Sequence, residues 1–62
     1  MAALYLTTEA LSERTGIPVE TLRYWRKLGR ELPYEKFGRL VRYRLADVVA
    51  WEQSRLVVPI SA

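Results

Sequence analysis

The chain contains no cysteine and no histidine. Without cysteine there is neither a disulfide framework nor a zinc–thiolate site to staple a small fold. Without histidine the commonest general base and the commonest metal ligand are missing too. No apolar run approaches the roughly 18 residues that a membrane span needs. The opening segment MAALYLTTEA has no basic region leading into a long apolar stretch, so no secretory leader is expected. A phosphate-cradling G-x-x-x-x-G-K loop is absent, as is any nucleophile–base pair. Glu9 and Glu13 stand four apart and can share a helix face, but no partner cluster surrounds them. The expectation is a protein that is not an enzyme and carries no metal or cofactor.

What remains is apolar, aromatic and basic. At 62 residues the chain is one domain near the lower limit for unaided folding. Its core must come from leucine, valine and a generous aromatic set: Trp25, Trp51, Tyr5, Tyr24, Tyr34, Tyr43 and Phe37. The net charge of +3 is unevenly spread. Residues 1–18 and 45–62 each sum to −1, whereas residues 19–44 carry eight Lys or Arg against three Glu. Concentrating positive charge on one segment is the electrostatic footprint of a polyanion binder.

Glycine and proline, three of each, punctuate the chain. Thr7 caps a helix over 8–15, with Leu11 facing the core and Leu4 or Leu6 packing back. Gly16 stops that helix. Pro18 disfavours helical backbone at Ile17 and opens a second helix that reaches Leu28 and ends at Gly29. Its apolar stripe is Leu22, Trp25 and Leu28. Two helices joined through only Gly-Ile-Pro make a helix-turn-helix, with Ile17 as the plug between them. Residues 30–33 read as a connection with Leu32 buried. Segments 34–37 and 41–44 read as two short strands around Gly38-Arg39-Leu40, with Arg39 at the tip. A third helix spans 45–54, with Leu45, Val48 and Trp51 inward. The domain is expected over residues 1–55, followed by an apolar tail over 56–62.

The ordered set Leu6-Thr7-Thr8-Glu9-Ala10, Gly16-Ile17-Pro18, Val19 through Trp25, Leu32-Pro33, Lys36-Phe37-Gly38-Arg39 and Leu45-Ala46-Asp47-Val48 with Trp51 resembles the winged helix-turn-helix of the MerR superfamily. It is most similar to that superfamily's minimal branch, the phage excisionases and AlpA-like regulators. The resemblance covers 47 of 62 residues. It implies an α+β, mainly helical fold: a minimal winged helix-turn-helix with a two-stranded wing and a C-terminal helix. The spacing from Trp25 to Leu32-Pro33 and the stretch Glu20-Thr21-Leu22-Arg23 resemble the lambda-type excisionases. That implies a recombination directionality factor that binds and bends double-stranded DNA and assists an integrase. It further implies contact between neighbouring protomers on DNA and a cytoplasmic, nucleoid-associated setting in a bacterial host. MerR-type activators follow this domain with a long dimerising helix and an effector domain. Neither is present here, so no small-molecule effector and no membrane partner are expected. A transcriptional regulator of the AlpA type and a protein-interaction adaptor are the competing readings.

Within this frame the second helix supplies major-groove candidates: Glu20, Thr21, Arg23, Tyr24 and Lys27. Arg23 lies outside the Leu22–Trp25 stripe and can fork onto guanine O6 and N7. Glu20 can accept from a cytosine amino group, or simply complement the helix dipole. Thr21 can donate to a phosphate or pack through its methyl group. Arg26, Lys36, Arg42 and Arg44 are backbone candidates, although Arg26 can equally serve the rim of the core. Arg39 at the wing tip suits a narrow, electronegative minor groove. The wing charges can also be plain solubilising groups. Trp25 and Trp51 could stack on bases, but their helical spacing favours the core.

Overall fold

The first two helices begin and end on residues whose backbone or side-chain chemistry sets the boundary. A computed structural model describes residues 4–56. In chain order they form β1 (Tyr5–Leu6), α1 (Thr8–Thr15), α2 (Val19–Leu28), β2 (Glu35–Phe37), β3 (Leu40–Arg44) and α3 (Leu45–Ser54). The Thr7 side chain accepts from the Ala10 N–H at 3.0 Å, satisfying a donor that the first turn of α1 leaves open. Gly16 closes α1 at φ +77, and its N–H donates to the Ser12 carbonyl at 2.8 Å. In that left-handed region a Cβ is strained, so glycine is the natural stop. Around this turn Thr15 Oγ1 accepts from the Ile17 N–H and donates to the Leu11 carbonyl. The Pro18 carbonyl then accepts the first helical hydrogen bonds of α2, from the N–H groups of Thr21 and Leu22.

The sheet has the order β1-β3-β2 and is antiparallel throughout. Glu35, Lys36 and Phe37 face Arg42, Val41 and Leu40, while Tyr5 and Leu6 face Arg44 and Tyr43. Three details differ from the sequence expectation. The sheet gains a third strand, because two residues before α1 pair with the far edge of the wing. Two residues are too short to display strand alternation, so no periodic signal marks them. The hairpin turn is tighter, with Leu40 already in β3 and Tyr34 still ahead of β2. Leu28 is exposed rather than part of the α2 stripe. At about 100° per residue it sits about 120° around the helix from Leu22, beyond the reach of the core.

The core is Leu11, Leu22, Leu32, Tyr43 and Val48, drawn from the three helices, β3 and the connection after α2. Leu6, Ile17, Trp25, Val41 and Trp51 pack around it, and the two tryptophan rings meet at 6.0 Å between centroids. Fully burying one such aliphatic side chain stabilises by roughly 1.5–3 kcal/mol. No buried side-chain polar atom among the described residues lacks a partner.

Long-range polar ties also hold the helices. Arg14 of α1 forks onto Glu52 of α3, with Nε and Nη2 each 2.9 Å from a carboxylate oxygen. Glu31 sits at φ +76, a left-handed conformation that a non-glycine residue adopts at a cost. There its carboxylate accepts from Arg55 and from Trp51 Nε1, the latter at 3.4 Å. Trp51 is therefore committed to the interior side of the fold, as its spacing implies. Among the described residues no helix is long and apolar enough to cross a membrane. Leu56 is exposed, and the rest of the expected apolar tail, 57–62, lies outside the described residues.

Candidate nucleic-acid interface

The second helix of a helix-turn-helix needs one face for the core and another for its ligand, and α2 divides cleanly. Leu22 is buried and Trp25 half-buried on the inner side. Glu20, Arg23, Tyr24 and Lys27 are all exposed, and their spacing of three, four and seven residues sets them in one stripe. Tyr24 shows 58% of its surface. Thr21 is half-buried on the shoulder of that stripe, beside exposed Leu28. Gly16 and Pro18 aim this face by fixing the turn between α1 and α2, and half-buried Ile17 packs on the core beneath it.

The wing carries the remaining candidates. Lys36 and Arg39 are exposed, Arg39 within the turn between β2 and β3. Register places Leu40, Arg42 and Arg44 on one face of β3 and Val41 and Tyr43 on the other. The second pair turns to the helices, Val41 packing on the core and Tyr43 within it. Across the outer face Tyr5 and Phe37 meet edge to face at 5.8 Å.

The basic residues separate into committed and available groups. Arg14 and Arg55 are held by Glu52 and Glu31. Arg44 is exposed but lies 3.0 Å from Glu35. The Glu35 charge, then its hydrogen bond, raises the Arg44 pKa further. Arg26 is half-buried, its Nη1 donating to Thr8 Oγ1 at 2.9 Å and to the Tyr43 hydroxyl at 2.8 Å. Of the two roles the sequence left open for Arg26, this geometry is that of the core rim. Arg42 is half-buried, with one nitrogen on the neighbouring Val41 carbonyl. Among the described residues Arg23, Lys27, Lys36, Arg39 and Arg42 have no carboxylate within salt-bridge range, and Arg30 reaches Glu31 only at 3.8 Å. The first five are the cations that can meet phosphates without first breaking an internal pair.

Sequence reasoning overlooked both acidic anchors, Glu31 and Glu35, and the exposed cation Arg30 beside Glu31. The Glu35 role becomes legible once register is known, since facing Arg42 puts Arg44 at the diagonal position. Glu31 gave no local signal, because its partners lie 20 and 24 residues away.

Neither a curated protein sequence nor a solved structure gives a match. Residues 5–56 match the family model described as a helix-turn-helix domain, which spans the turn, the stripe and the wing. The chain belongs to that DNA-binding helix-turn-helix family, one that includes excisionase- and AlpA-like proteins.

Proposed function

We propose that this chain binds a specific double-stranded DNA site, bends it, and acts as an excisionase-type recombination directionality factor alongside an integrase. The observation that carries the reading is the sorting of cations. Among the described residues the α2 stripe and the wing keep Arg23, Lys27, Lys36 and Arg39 exposed and without a carboxylate partner, whereas Arg14, Arg44 and Arg55 are paired with carboxylates and Arg26 is held by Thr8 and Tyr43. In this reading Arg23 and Glu20 read base edges in the major groove, and Tyr24, Thr21 and Lys27 flank them. Lys36 and Arg42 hold phosphates, joined by Arg44 when DNA displaces Glu35. Arg39 enters the adjacent minor groove.

Such a protein performs no chemistry. Its work is mechanical: curved DNA wraps more of the protein surface, and that added binding offsets the elastic cost of curvature. Protomers side by side would present the exposed acids Glu9 and Glu13 of α1 to the basic wing of a neighbour, which favours ordered assembly. Footprinting across the attachment region beside an integrase gene, at several salt concentrations, tests this. Extended, ordered protection that falls steeply with salt is the expected result. One isolated protected site at a promoter would replace the recombination role with transcriptional regulation. No protection even at low salt would overturn DNA binding in favour of a protein-interaction role.

A further inference from the structure

Arg26 is the one cation of α2 that turns away from the exposed stripe. Among the described residues it makes every side-chain hydrogen bond that α2 has, and no backbone hydrogen bond joins α2 to the sheet. A single nitrogen serves both bonds. One goes to Thr8, the first residue of α1, and the other to Tyr43 on β3. Both acceptors are buried in the packed interior: Thr8 is 7% exposed and Tyr43 1%. The guanidinium also lies 5.9 Å from the Tyr34 ring centroid and 6.0 Å from that of Tyr43. Thus the start of α1, the recognition helix, the approach to β2 and the middle strand of the sheet converge on one side chain.

The remaining attachment of α2 is apolar, through Leu22 and Trp25. Apolar contact is non-directional and leaves a helix some freedom to roll. Side chains reach about 5–6 Å from a helix axis, so a roll of about 10° displaces the outer face by about 1 Å. A bidentate arginine–base contact does not survive such an error unchanged. Two charge-assisted bonds to buried acceptors restrict that roll.

We propose that Arg26 is a positioning residue. It fixes the angle between α2 and the wing, so that Arg23 in one groove and Arg39 in the next act as a single unit. The inference rests on the DNA-binding reading given above. It assigns Arg26 an internal role in place of a phosphate contact.

Tyr43→Phe removes the acceptor oxygen and keeps the buried ring. Arg26→Met keeps the unbranched stem and removes the guanidinium that makes both bonds. Should Arg26→Met fail to fold, Tyr43→Phe decides alone. The first readout uses a duplex that the wild-type protein enriches from a randomised pool. In the wild-type background Arg39→Ala should weaken binding about tenfold, and in the Tyr43→Phe background less than about threefold, the non-additivity expected of coupled residues. The second readout needs no DNA. Residual dipolar couplings of the free protein should fit one alignment tensor for α2 and the wing in the wild type, and two in Tyr43→Phe. An undiminished effect of Arg39→Ala, or an unchanged orientation of α2 to the wing, overturns the proposal. Should the wild-type protein enrich no duplex, the DNA-binding reading fails, and the couplings still decide whether Arg26 sets the angle.

Discussion

At most positions alanine stabilises relative to glycine, because it restricts the unfolded chain by about 0.4–1 kcal/mol. Glu31 should reverse that order. Its φ of +76 places it where a Cβ costs about 1–2 kcal/mol. Glycine escapes this cost, so Glu31→Gly should be more stable than Glu31→Ala by about 0.5–1 kcal/mol once the unfolded-state term is subtracted. Both variants lose the carboxylate that holds Arg55 and Trp51. Arg55 is 57% exposed and the Trp51 bond is long at 3.4 Å, so that shared loss is discounted to about 1 kcal/mol. Glu31→Ala should therefore fall about 1 kcal/mol below the wild type, and Glu31→Gly about 0–0.5 kcal/mol below it. In a domain of this size 1 kcal/mol moves the midpoint by about 4–8 °C. Thermal unfolding followed by circular dichroism, with urea titration as a second measure, should thus place the glycine variant roughly 2–8 °C above the alanine variant. Equal midpoints, or a more stable alanine variant, would refute the view that this backbone is held under strain to deliver its carboxylate.

Other substitutions separate reading from holding. Arg23→Ala should cost about 1–3 kcal/mol on the preferred site and far less on mixed-sequence duplex, with Tm unchanged; equal losses on both would assign Arg23 to phosphate. Arg39→Ala should reduce the log–log salt slope of binding by about 0.9 for each phosphate that the variant no longer neutralises, and an unchanged slope would remove the wing tip from the interface. Thr7→Ala should cost about 1 kcal/mol of stability by uncapping α1, which urea titration would detect. For acid stability the sign follows from Glu52, whose pKa is lowered from 4.5 by the hydrogen bond from Arg14. A depressed carboxylate contributes stability above its unfolded value and loses it as pH falls through the native one. Glu52→Gln should therefore flatten the decline of Tm below about pH 4.5, and a decline as steep as the wild type's would exclude this pair from the acid response.

The sequence by itself determined every element except β1, and their order. Gly16, Pro18 and Gly29 act through local backbone geometry, and Thr7 through a bond three residues away, so the limits of α1 and α2 are visible without a fold. The exposed stripe of Glu20, Arg23, Tyr24 and Lys27 follows from the helical period alone, given that Leu22 and Trp25 face inward. Strand alternation likewise told which faces of β3 hold arginine and which hold Val41 and Tyr43.

Only the tertiary structure decided which of the ten basic side chains are available. Arg14 meets Glu52 across 38 residues, Arg55 meets Glu31 across 24, and Arg26 meets Tyr43 across 17. A charge on a sequence is only a count, whereas its partner depends on where the chain returns in space. The same reason hid β1, whose two residues form a strand only because β3 offers a free edge beside them. Pairing and commitment of charge are properties of the assembled surface, and local chemistry carries no record of them.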